Sequence, residues 1–65
     1  MIIKYRVDSK NPAHTVVSVF TGEKKGALAK NGVLTFRRTE WERFRFTLED
    51  MRAHSMHEIQ IDEEA

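Results

Sequence analysis

Gly32–Arg52, GVLTFRRTEWERFRFTLEDMR, is the stretch whose reading decides the fold. It holds the chain's only Trp and three of its four Phe. A short strand pattern, Leu34-Thr35-Phe36, runs directly into a helical one. Trp41, Phe44, Leu48 and Met51 recur at i, i+3, i+7 and i+10, so all four share one stripe of a 3.6-residue helix. Thr39 with Glu42 three residues on has the form of a capping box, in which each side chain satisfies a free backbone N–H of the first turn. Glu40 and Glu42 suit the positive end of the helix dipole. Arg52 and His54 suit the other end, and the helix is predicted to stop near Ala53–Ser55.

The run Leu34-Thr35-Phe36, a short spacer, then Glu40-Trp41 and Phe44 resembles a strand-to-helix motif of small uncharacterised actinobacterial proteins, LTF-x-x-x-EW-x-x-F. One such group accompanies helix-turn-helix regulators, and similar short proteins occur in actinobacterial phages. Leu34, Thr35, Phe36, Glu40, Trp41 and Phe44 match residue by residue, over roughly a third of the chain. Where that group has a small polar cap and then Pro, this chain has Arg37 and Arg38. The motif concerns packing and capping, so the resemblance implies a phage-borne or regulatory accessory binding protein and supplies no catalytic residue.

Working back toward the N-terminus, Ile2–Val7 alternates, with Ile3, Tyr5 and Val7 on one face and Lys4 and Arg6 on the other, the pattern of a half-buried strand. Asp8–Pro12 is dense in turn formers. His14–Thr21 is rich in β-branched residues and apolar on both faces, as a central strand would be. After the polar turn Thr21–Gly26, Ala27–Lys30 reads as a weak strand. Asn31-Gly32 reads as a type I′ hairpin turn, which needs positive φ at both positions. That turn would set Ala29 opposite Leu34 and Ala27 opposite Phe36. Beyond the helix, His57–Asp62 alternates again as an edge strand, with Ile59 and Ile61 inward.

The expected fold class is therefore α+β: a small antiparallel sheet of three to five strands packed against one amphipathic helix, in the order β-β-(β)-β-α-β. Residues 1–62 form one domain and residues 63–65 an acidic tail. The expected core is Ile3, Tyr5, Val7, Val17, Val19, Leu34, Phe36, Trp41, Phe44, Leu48, Met51, Ile59 and Ile61.

Size and composition limit the function. A 65-residue chain without Cys has no disulfide or thiolate metal site to reinforce a small core. Oligomerisation is the common alternative at this size. No apolar run approaches the roughly 20 residues of a membrane span. Met1–Lys10 carries Lys4 and Arg6 and is not a signal peptide. A cytoplasmic protein with no membrane association is expected.

Three sets of residues invite chemistry, and none has the form that chemistry needs. His54 and His57 with Glu58 could ligate zinc, but they straddle a helix end, and His14 is distant. Asp8, Ser9 and His14 hold triad residue types without a nucleophile elbow. Gly22–Gly26 lacks the Gly-Lys-Ser/Thr of a phosphate loop. No catalytic, metal or cofactor-binding residue is assigned, and no small-molecule substrate is expected.

Net charge is +1, but it is unevenly spread. Residues 1–38 carry eight basic and two acidic side chains; residues 39–65 carry three and eight. Arg38, Arg45 and Arg52 form a stripe that Glu42 and Glu49 can neutralise at helical spacing. Phe46 lies about 140° round the helical wheel from Trp41, among charged residues, where a single helix has no core to offer. The reading is a non-enzymatic protein-interaction module that binds a host protein or a second copy of itself as a homodimer, with Phe46, Arg43 and Asp50 at the contact. The alternative is a small nucleic-acid-binding protein that uses Lys4, Arg6, Lys24, Lys25, Lys30 and Arg37.

Overall fold

The computed structural model describes residues 1–63. Its elements are β1 (Ile2–Lys10), β2 (His14–Gly22), β3 (Ala29–Arg37), α1 (Arg38–His54) and β4 (Glu58–Asp62). One four-stranded sheet, in the order β3-β2-β1-β4, carries the helix, giving the expected α+β class.

The β1–β2 hairpin follows from its turn chemistry. Asn11 Oδ1 accepts the N–H groups of Ala13 (3.0 Å) and His14 (2.6 Å), and the Asn11 N–H donates to the His14 carbonyl at 3.0 Å. The register sets Tyr5 opposite Val19 and Val7 opposite Val17, so the apolar alternations of both strands meet on one face. Asp8 is the extra residue of a β-bulge, since Val7 pairs with Val17 and Ser9 with Val16.

Asn31-Gly32 does not turn the chain. Ala29–Arg37 is one strand, with a bulge at Asn31 where Val19 pairs with Gly32 and Phe20 with Lys30. Among the described residues none has positive φ, so Asn31-Gly32 does not adopt the type I′ geometry. Ala29 and Lys30 of the expected weak strand thus join the LTF strand in a single β3, while Ala27 and Leu28 precede it. Pairing along β2 places eight of the nine residues of β3 opposite a partner, which a local hairpin would divide.

The last strand also departs from expectation. β4 runs parallel to β1, with Ile3 opposite Ile59 and Tyr5 opposite Ile61, so the sheet is mixed. α1 therefore carries the chain across the sheet from the β3 edge to the β4 edge. It starts one residue before the predicted cap. Arg37 is the N-cap and Glu40 the N3 residue, whose carboxylate accepts the Arg37 N–H at 3.4 Å. The helix ends at His54 with Ser55 as C-cap, as predicted.

Under the helix, Val7, Val17 and Trp41 are buried, with Tyr5, Phe36, Phe44 and Ile61 packed against them. Phe44 stacks on Phe36 at 5.0 Å between centroids and meets Tyr5 edge-on at 5.6 Å. Leu48 and Ile59 are buried as well. Leu34 and Met51, expected in the core, are 43% and 50% exposed. Neither joins the cluster that Trp41 and Phe44 bury against Val7, Val17 and Phe36. Arg45 is held by Glu63, its Nη1 lying 2.9 and 3.0 Å from the two carboxylate oxygens, rather than by Glu42 or Glu49. Of the predicted tail, Glu63 is thus tied to the helix; Glu64 and Ala65 lie outside the described residues.

On the other sheet face, Ile2 is buried at the β2–β3 loop. It pairs with Gly22, and Leu28 Cδ2 occupies the space a Gly22 Cβ would take.

Candidate interaction surface

Phe46 points away from the sheet and is 66% exposed, with Arg43 and Asp50 exposed beside it. The helical wheel placed this correctly. Exposed Ala53 lies on the same side of the helix, whereas the exposed Met51 sits about 140° further round.

The six basic residues divide. Lys4, Arg6, Lys30 and Arg37 share the helix-free sheet face with Phe20, while Lys24 and Lys25 lie in the β2–β3 loop. Lys4, Arg6, Phe20, Lys25 and Leu28 surround a hollow of about 200 Å³. Each of its cations has an acid partner: Lys4 with Asp62 (3.9 Å), Arg6 with Asp8 (2.9 Å) and Lys25 with Glu58 (3.8 Å). The Arg6 guanidinium also lies 4.8 Å over the Phe20 ring. Among the described residues, Lys24, Lys30 and Arg37 have no ion pair. The Asp8 carboxyl is held below its ordinary range, chiefly by the hydrogen bond from the buried Ser18 hydroxyl and then by that from Arg6. Asp8 is thus committed to Ser18 and Arg6, and the triad sketched from Asp8, Ser9 and His14 is not assembled.

The histidines do not converge either. The His57 N–H donates to Ser55 Oγ at 3.0 Å in the helix exit, and no group of three potential metal ligands occurs among the described residues. No helix of the described residues is long and apolar enough to cross a membrane.

Two features escaped the sequence reading. One is the free side of β3. Among the described residues only β2 borders this strand, and every residue of it except Phe36 is exposed. Val33 (49% exposed) lies on the open face and Leu34 on the helix face. A Cβ built at Gly32 would meet nothing within 4 Å. The signal lay in Gly32–Phe36, an uncharged run with apolar residues for both faces, which turn chemistry at Asn31-Gly32 obscured.

The other is a cleft of about 270 Å³ where the β1–β2 turn meets the first turn of α1. Thr15 and Trp41 line it, bordered by Lys10, Pro12, Arg38 and Glu42. Its residues come from separate elements, and no linear motif marks it.

No family model, curated protein or solved structure matches this chain.

Proposed function

We propose that the protein is a non-enzymatic interaction module of accessory or regulatory type, and that it binds protein by adding a strand to β3. The free edge of β3 carries this reading. An unpaired strand presents a row of N–H and C=O groups that a partner strand can satisfy, and proteins commonly blunt such edges with short length or charge. β4, the other edge, has five residues and carries Glu58 and Asp62. β3 has nine, and Gly32–Phe36 is free of charge. Val33 and Leu34 would be covered on opposite faces by the incoming chain.

A second copy is the partner we assign. An antiparallel β3–β3′ pair centred on Val33 sets Lys30 opposite Phe36 and Arg37 opposite Ala29, so no like charges meet directly. Phe46, between Arg43 and Asp50, is a separate aromatic on the helix face that suits a further protein contact. The basic sheet face remains the runner-up as a nucleic-acid surface, through Lys24, Lys30 and Arg37 beside Phe20; the acid partners of Lys4, Arg6 and Lys25 weigh against it.

The test is molar mass by light scattering, with hydrogen exchange of β3, for wild type and a Val33→Lys/Leu34→Lys variant. The expected result is a wild-type dimer with protected β3 amides and a folded, monomeric variant. A monomeric wild type with fast-exchanging β3 at high protein concentration overturns self-pairing. Steeply salt-dependent retention of single-stranded DNA would favour the runner-up instead.

A further inference from the structure

We propose that the cleft between the β1–β2 turn and the start of α1 is a recognition pocket for a carboxylate. Thr15 and Trp41 line it, and both residues are almost wholly buried, at 0% and 1% exposure. Yet Thr15 Oγ1 and Trp41 Nε1 have no hydrogen-bond partner. Two buried polar groups without partners, on residues that line one cleft, are costly in a core this small, and such groups mark a place where something else can supply the partner.

The donor set defines the ligand. The indole N–H can only donate, and the Thr hydroxyl can donate as well, so a ligand group that meets both must accept. Lys10 and Arg38 border the cleft with positive charge, against one acid, Glu42. Lys10 also stands 4.0 Å from Glu63, which leaves Arg38 the freer cation. An anionic acceptor follows. The Trp41 ring and Pro12 add apolar wall, which suits a carboxylate on a short carbon stem better than a fully hydrated ion. The volume, below the usual range of about 300–1,000 Å³ for drug-sized ligands, admits one such group rather than a large metabolite. A carboxylate of this kind could come from a peptide C-terminus or from an acidic side chain.

The chain's single Trp makes the experiment direct, because its indole N–H is one resolved signal in a nitrogen-15 spectrum. ¹⁵N-labelled protein is titrated at constant ionic strength with acetate, N-acetylglycine, a Glu peptide blocked at both ends, inorganic phosphate and chloride. A saturable shift of the Trp41 indole signal is expected with the carboxylates and not with chloride. The tighter of N-acetylglycine and the blocked Glu peptide identifies a chain terminus or a side chain as the natural source. Thr15→Val should weaken carboxylate binding about tenfold, the effect of losing one hydrogen bond to a charged group. Its melting curve should not fall, since the hydroxyl it removes has no partner. Should that variant fail to fold, Arg38→Gln, on the exposed rim, should weaken binding by a similar factor. The proposal is overturned if no carboxylate gives a saturable shift, so that the cleft holds only water. It is equally overturned if phosphate binds as tightly as the carboxylates, or if a folded Thr15→Val binds as wild type does.

Discussion

Substituting two glycines separates the observed fold from the hairpin that the Asn31-Gly32 pair advertises. At Gly22, an added Cβ would lie 2.7 Å from the Ala27 carbonyl oxygen, 2.9 Å from Leu28 Cδ2 and 3.2 Å from Leu28 Cα. Two of those atoms are backbone, so the β2–β3 loop must move and Leu28 must leave its seat beside Ile2. Overpacking of this kind costs about 1–3 kcal/mol. At Gly32 the added Cβ meets nothing within 4 Å, and the φ angle is not positive. Gly32→Ala should therefore stabilise by about 0.4–1 kcal/mol, through the reduced freedom of the unfolded chain. A domain of this size has a total stability of roughly 3–10 kcal/mol, so the contrast is large. Urea denaturation followed by far-ultraviolet circular dichroism resolves it. With a slope of about 1 kcal/mol/M, the two midpoints should differ by about 1.5 M or more, with Gly32→Ala the higher. If Gly32→Ala proves the more damaging change, Gly32 sits at positive φ in a turn. The continuous β3 strand and its free edge would then be wrong.

Trp41→Ala should cost about 3–5 kcal/mol and leave little folded protein, whereas Trp41→Phe, which loses ring volume but no hydrogen bond, should cost about 2 kcal/mol; denaturation midpoints measure both. Asp8 has a lowered carboxyl pKa, so its contribution to stability is present above the ordinary value of 3.8 and is lost as pH falls through the depressed one. Ser18→Ala removes the largest cause of that shift, so melting temperature against pH should show an acid limb that is smaller and ends at higher pH than in wild type. Phe46→Glu should change stability by no more than about 0.5 kcal/mol, since the ring packs against no core; a larger loss on thermal melting would show that Phe46 is covered.

Period made much of this fold legible. The alternation of Ile3, Tyr5 and Val7 and the stripe of Trp41, Phe44 and Leu48 each fix which face is buried, because burial and period are linked residue by residue. Direction is different. Ile59 and Ile61 alternate identically in a parallel or an antiparallel neighbour, so the pairing of β4 with β1 could not be read from them. Asn31-Gly32 misled because turn preference is local, while the competing ladder to β2 depends on residues 14–22. Leu34 and Met51 have core periodicity yet remain exposed, because period fixes the face a residue takes and not how much of that face its neighbour covers. For the surface, the wheel position of Phe46 was enough to place it outward. The neutralisation of Arg6 by Asp8 and of Lys4 by Asp62 was hidden, because a bulge and a distant strand bring those acids in. The cleft was hidden for the same reason: Thr15 and Trp41 become neighbours only when the helix settles on the hairpin.

The parallel pairing of β1 with β4 sets the timing of folding. Residues 2–37 can zip locally, hairpin onto hairpin, at small cost in loop closure. Ile2 meets its partner Glu58 only after the helix has formed and spanned the sheet. Until then β1 is bordered on one side only, and its apolar run stands open as a second adhesive margin opposite β3. During synthesis, residues 58–62 are the last of the sheet to leave the ribosome, so the nascent chain passes through a three-stranded stage with two unpaired margins. The same backbone that pairs β4 inside one molecule can, at that stage, pair with a neighbouring chain. Productive folding is then a race between helix docking and encounter, one that dilution tips toward docking.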